Sequence, residues 1–382
     1  MLKKIFAQNA TLRLACLSCA IAIGGRSPLF CQRVKWEISG TTEGLWNITD
    51  GKAGWCNLLE VSAETGLWKG AGLEAAAIST YNLGIPVAGD LQAFSCIDAG
   101  PDKAFRLIEA GIRQDIGDKC SVYAGLRNID MDHFTTPFTA LFTNASHGNF
   151  PILSANFPLA TYPLAALCLH AEFSPLQGLT LRESLYNGVA SDRINRQFRF
   201  CPRGDGMFNI GSLSYHIGEE GRHHGYYAVG YALGSSPSET SPDKIASKRE
   251  QTGLARSLPG VSGQSKTFNY ALWTLIEQPL LHVGESHLGA MWQGGTSPAS
   301  RSTCRHYWGA GLIWSNIPPR MTQVGLVVNR ALYADGRETD VELTGSFPVC
   351  DHFTLQPAVH CINTGGNYTA AAQLRAILEF GN

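Results

Sequence analysis

Over residues 368–380, Ala372, Leu374, Ala376, Leu378 and Phe380 share one parity, while Gln373, Arg375, Ile377 and Glu379 take the other. A two-residue period marks a strand whose faces meet different surroundings. The alternation repeats upstream. Val341, Leu343, Phe347 and Val349 oppose Glu342, Thr344 and Ser346, then Phe353, Leu355 and Val359 oppose Thr354, Gln356 and His360. Followed along the chain, the pattern predicts about 16 β-segments, at 33–45, 54–66, 69–82, 104–115, 119–127, 165–174, 178–190, 204–217, 223–235, 266–278, 284–296, 306–316, 321–333, 338–349, 353–361 and 368–380.

Their length and spacing narrow the architecture. Many run to roughly 9–12 residues against a usual mode of about 5–6, and 11 residues tilted near 45° rise about 25 Å, the height of an outer-membrane apolar band. Long gaps follow the third, fifth, seventh and ninth segments. Short turns such as GLWKG, DIGDK and SPLQG follow the second, fourth and sixth. Alternating long loops and short turns are what an up-and-down barrel requires, and a Greek-key sandwich would not give them. The expected fold is therefore all-β: a transmembrane antiparallel β-barrel over 33–382 with a long loop folded inward.

The two faces follow from parity. In 119–127 the outward set is Cys120, Val122, Ala124 and Leu126, with Ser121, Tyr123 and Arg127 inward. In 104–115 Ile108, Ala110 and Ile112 are expected outward, with Glu109 and Arg113 inward. In 178–190 Leu179, Leu181 and Leu185 point out, Arg182 and Tyr186 point in, and Glu183 breaks the pattern.

Composition agrees with a barrel. Of 382 residues, 44% are hydrophobic and only 16% charged, well below the ~25% of ordinary soluble domains. The 41 glycines and 10% aromatics suit strands that curve and close and walls that carry aromatic girdles. A net charge of −1 gives no basic stripe for nucleic acid. The start MLKK, then Leu14–Gly25 as an apolar run, reads as a signal peptide over 1–27, too short to span a membrane as a helix. No other stretch approaches 18 consecutive apolar residues, which excludes a helical membrane protein.

Of the 11 cysteines, Cys16 and Cys19 fall in the leader. Cys56, Cys120, Cys168 and Cys361 lie within predicted strands as small packing residues. Cys96, Cys201 and Cys304 lie in or beside predicted outer loops, where an oxidising compartment allows a disulfide between two of them. No P-loop, H-E-x-x-H or G-x-G-x-x-G is present. Ser286 and His287 are adjacent, so on a strand they face opposite ways and cannot act as a catalytic pair. His223 and His224 diverge for the same reason and form no metal site. No catalytic residue, metal or cofactor is implied.

The run from Glu338 to Gly366 carries E-T-x-V-E-L-T, F-x-V-x-D-x-F-T-L-Q-P and I-N-x-G-G, and resembles the C-terminal signature of the carbohydrate-selective porins, the OprB-like family. WKGAGLEAAAISTYNLG, GLRNIDMDHF and FNYALWTLIEQPL fall where that family has similar runs, so the resemblance covers nearly the whole mature chain. It implies a Gram-negative outer-membrane porin for small sugars, with outer-membrane lipid and the barrel assembly machinery as partners and a monomer or a homo-trimer as the unit. Phe380 is followed by Gly381 and Asn382, a departure from the usual terminal aromatic. A general porin, an outer-membrane barrel enzyme and a soluble secreted β-protein are the rival readings.

The most informative loop spans 127–164, with Phe134, Phe138, Phe142, Phe150 and Phe157. A loop of this length and apolarity needs a docking site. It is either a structured cap over the barrel mouth or folds inward and narrows the lumen, with Arg127, Asp130, Asp132, His133 and Phe134 beside inward Glu109, Arg113 and Arg182 as channel-lining residues. Such a constriction selects by diameter and by the hydrogen-bonding groups along it.

Overall fold

The computed structural model describes residues 34–382 except 86, 89–90, 92, 99–101, 218–224 and 236–267. The expected leader with Cys16 and Cys19, and the pair His223 and His224, lie outside the described residues. Sixteen strands follow one another: β1 (Lys35–Asn47), β2 (Ala53–Trp68), β3 (Ala71–Gly84), β4 (Lys103–Ile116), β5 (Cys120–Arg127), β6 (Ala166–Leu176), β7 (Leu179–Asn187) and β8 (Met207–His216). The second half comprises β9 (Tyr226–Ser235), β10 (Phe268–Val283), β11 (Ser286–Thr296), β12 (Cys304–Ile317), β13 (Thr322–Tyr333), β14 (Arg337–Cys350), β15 (Phe353–Thr364) and β16 (Asn367–Gly381). Each matches a segment expected from periodicity.

Every strand pairs antiparallel with its sequence neighbours, and β1 closes on β16 from Glu37↔Gly381 to Asn47↔Ala371. Closure leaves no unpaired edge. The Asn382 side chain accepts from the Trp36 amide at 3.0 Å and extends the seam past the last pair.

The distribution of polarity is inverted relative to a soluble protein. Leu343, Val359 and Leu374 are 46–49% exposed on the outer wall, while their chain neighbours Glu342, His360 and Arg375 are 0–7% exposed on the inner one. An apolar exterior over the whole circumference suits lipid and would aggregate in water. Among the described residues no helix is long and apolar enough to cross a membrane. The strands do the crossing.

Parity fails at Ile108 with a clear cause. Ile108, expected outward, is buried with Ala76 and Ile78 inside the barrel. The β3–β4 register shifts between Ala76 and Ala77, whose partners are Glu109 and Leu107, so Ile108 is the extra residue of a bulge. A bulge places two consecutive residues on the same side. Leu126, also expected outward, is fully buried one residue before β5 ends. Glu183 does face outward, where it accepts from the Tyr231 hydroxyl at 2.9 Å and from Asn209.

The described cysteines are all free, so the disulfide that the outer-loop positions allowed is not formed. Cys96 lies 3.1 Å from Arg375 Nη2, Cys201 lies 3.2 Å from Arg199 Nη2, and Cys304 packs fully buried at the start of β12.

Candidate functional site

The segment 128–165 between β5 and β6 contains two short helices, α1 (Asp130–His133) and α2 (Pro151–Ser154), and two single 3-10 turns. Its length is supported by packing. Phe134 and Phe150 meet Trp273 of β10 with ring centroids 5.1 and 6.1 Å apart, Phe150 meets Tyr307 of β12, and Phe157 meets Phe208 of β8. These partners share the inward parity of the wall. The segment therefore lies against the inner face of β8–β12, burying aromatic surface of about 150–250 Å² per ring.

Glycines in the wall make room for it. A Cβ on Gly289 would strike the Phe138 ring, and one on Gly295 would strike Ile152. The close approach needs the bare backbone at both.

Polar pegs fix the path between the aromatic contacts. Glu277 of β10 accepts from the amides of Phe138 and Thr139 at 3.0 and 3.3 Å and from the Thr136 hydroxyl. Glu342 of β14 accepts from the Thr143 amide and hydroxyl at 2.7 and 2.8 Å and from the Asn144 amide at 3.2 Å. His147 is held between Gln293 and Asn329 at 3.1 Å each. Buried carboxylates satisfied by backbone amides set a loop's path because leaving those amides unpaired is costly. Sequence parity sets Glu342 opposite Leu343, but the loop residues that Glu277 and Glu342 hold lie about 140 and 200 residues away in the chain.

At the start of the segment stands a charge network. Arg127 forks onto Asp132, with Nε–Oδ2 2.9 Å and Nη2–Oδ1 2.8 Å, and its Nη1 reaches Glu109 at 2.6 Å and Glu74 at 3.1 Å. Its guanidinium also lies 4.6 Å from the Tyr123 ring centre. Arg113 bridges Glu74 at 3.0 Å and Glu64 at 3.2 Å, so the two arginines share Glu74. A second pair, Arg182–Glu172 at 2.7 Å, stands on β7 and β6. Arg113 and Glu64 are about 40% exposed and Arg182 24%, whereas Arg127 is 14% exposed.

The eight residues expected to line a constriction thus divide. Arg127, Glu109, Asp132 and Arg113 form one network, and Arg182 belongs to a separate, accessible pair. Asp130, His133 and Phe134 hold the loop. Asp130 accepts from the Tyr162 amide at 2.7 Å and the Thr161 hydroxyl, and burial pushes its carboxyl up from the usual range despite those donors. Phe134 is 1% exposed inside the aromatic cluster. His133 sits between the Ser184 and Ser212 hydroxyls, at 3.0 and 3.2 Å.

Burial pushes His133 down from 6.5 to about 3, and His170, Arg182 and Arg127 lower it further while Asp132 opposes them. A released imidazole titrates near 6.5, so between that pH and about 3 the undocked loop binds the extra proton and docking weakens as pH falls. The slope for one proton is about 1.4 kcal/mol per pH unit. Amide protection at Phe134, corrected for intrinsic exchange, is expected to fall from pH 7 to pH 4.5, and His133→Gln should flatten that dependence.

A closed 16-stranded barrel with an apolar outer wall and a loop-lined polar interior defines an outer-membrane channel protein. The family model described as carbohydrate-selective porin, OprB family, matches residues 49–375, and the chain belongs to that family. Among solved structures, the high-pH form of Pseudomonas putida OprB aligns with a TM-score of 0.74 at 15% identity, covering 91% of this chain and 94% of that one. Its low-pH form aligns at 0.57 with 13% identity over 91% and 92%. The anion-selective porin of Comamonas acidovorans aligns at 0.56 with 10% identity over 91% and 99%. At these identities the structures share the fold. No curated protein matches the chain in sequence.

Proposed function

We propose that this porin carries small sugars passively into the periplasm through a lumen narrowed by the 128–165 segment, with Arg127, Glu109, Asp132, Arg113 and Arg182 as the polar lining. The observation that carries this reading is the cluster of paired, partly accessible charges next to a loop packed on the inner wall. Sugar hydroxyls both donate and accept, so they exchange readily among carboxylate and guanidinium partners. Because each charge already has a partner, a passing sugar gains hydrogen bonds without meeting a naked ion. Binding of that kind is weak enough to release.

The remaining partners are part of the same proposal. Outer-membrane lipid covers the apolar wall, the barrel assembly machinery inserts the folded strands, and the functional unit is a single barrel or a homo-trimer. The fold and its family support a channel and give no support to an enzyme.

Proteoliposome swelling tests the reading. Influx of mono- and disaccharides should exceed that of amino acids of similar mass, and Arg182→Ala should narrow the difference. Equal rates for all solutes of one size would make the protein a general porin.

A further inference from the structure

The second docking point of the loop carries more chemistry than docking requires. Asp340 and Glu342 on β14 and His360 on β15 all project inward, and all three are 0–4% exposed. Strand pairing assembles them. Glu342 stands directly opposite His360, and Asp340 lies two residues along the same face. One ligand atom from each lies within 4.8 Å of the others.

The protons can be assigned from the partners. Thr143 has one hydroxyl proton, and it goes to Glu342 Oε1 at 2.8 Å because an ionised carboxylate only accepts. The same hydroxyl oxygen lies 3.2 Å from His360 Nε2, which in that assignment carries a proton and donates. In the neutral ring Nδ1 is then a lone pair, and it faces Asp340 Oδ2 at 3.0 Å. A lone pair against a carboxylate oxygen is repulsive unless a positive centre stands between them.

A second ring proton would remove the repulsion but would leave two carboxylates against one imidazolium in a buried pocket. Asp340 Oδ1 is itself buried with no hydrogen-bond partner among the described residues. The Asn144 amide group already donates to Oδ2, at 2.8 Å. A divalent cation balances both carboxylates with the ring neutral, and, held by both Asp340 oxygens, it also gives Oδ1 a partner. Ligands about 2.1 Å from one ion lie at most about 4.2 Å apart, so sub-ångström shifts of the side chains close the trio.

We propose that Asp340, Glu342 and His360 bind one divalent transition-metal cation of the Mn²⁺ and Zn²⁺ class. One imidazole nitrogen with two carboxylate oxygens is a mixed donor set that favours such ions over Mg²⁺. The Thr143 hydroxyl borders the site, so the bound ion ties the loop to the wall. The proposal is independent of which solute the channel carries.

Untagged, chelator-stripped full-length porin titrated with Mn²⁺ tests it, since Mn²⁺ avoids the thiols of this chain. The expected result is one saturable equivalent, a raised thermal midpoint, and affinity at least tenfold weaker in Asp340→Asn and His360→Gln. No bound equivalent, or unchanged binding in folded variants, overturns the site. Should either variant fail to fold, Cu²⁺ bound to the wild type decides by its electron paramagnetic resonance. Coupling to one nitrogen supports the trio, and coupling to none or to several contradicts it.

Discussion

Arg127→Ala is expected to release the start of the inner loop and lower barrel stability by about 3–5 kcal/mol, the usual cost of orphaning buried charge partners. The guanidinium is shared by Asp132, Glu109 and Glu74, so its loss leaves three carboxylates facing one another where Arg113 reaches only Glu74. Arg127→Lys should fall between, because an ammonium keeps the charge but not the fork that matches Asp132. Adding Asp132→Asn to Arg127→Ala should return part of the loss, which makes the pair non-additive. Denaturant midpoints of the refolded barrel measure all three. Sugar influx in the alanine variant should rise in rate and lose discrimination as the loop moves off the wall.

Glu277→Ala should loosen the middle of the same loop. Three donors, the Phe138 and Thr139 amides and the Thr136 hydroxyl, converge on one carboxylate oxygen. Leaving them unpaired costs about 1 kcal/mol or more each, about 3 kcal/mol together. The loop can avoid that cost only by reaching water. Single-channel conductance is therefore expected to increase, with more open-state noise, while the strands stay intact by circular dichroism. Glu277→Gln keeps an acceptor at the same place and should behave closer to wild type. A conductance unchanged in the alanine variant would mean that the aromatic contacts of Phe134 and Phe150 alone seat the loop.

The barrel was readable in the sequence because each strand separates a lipid-facing parity from an inward one, and that contrast is local. Leu343 beside Glu342, and Leu374 beside Arg375, state the wall's two sides within two residues. Ile108 was not readable, since a bulge adds one residue without changing the composition. Nor was the loop's path. The aromatic content of 128–165 announced that it must dock, but which wall residues receive it depends on partners such as Glu277 and Glu342 far along the chain. Gly289 and Gly295, which seat Phe138 and Ile152, look in the sequence like ordinary strand glycines.

Long-range partners also separate the site residues. Asp130, His133 and Phe134 fall in one polar-aromatic run with Asp132, yet the loop turns Asp132 toward Arg127 and Asp130 toward Tyr162 and Thr161. Glu74 and Glu64, which complete the arginine network, carry no signal in the sequence that points to it. Asp340, Glu342 and His360 have no metal-ligand spacing in the chain, because antiparallel pairing of β14 with β15 brings them together.

The most direct test of the account is planar-bilayer recording of the refolded barrel with glucose and with longer maltodextrins. Stepwise openings that the sugars reduce in a saturable manner are expected, with the block weakened in Arg127→Ala and Arg182→Ala. Stepwise openings that are indifferent to sugars at every concentration would contradict it.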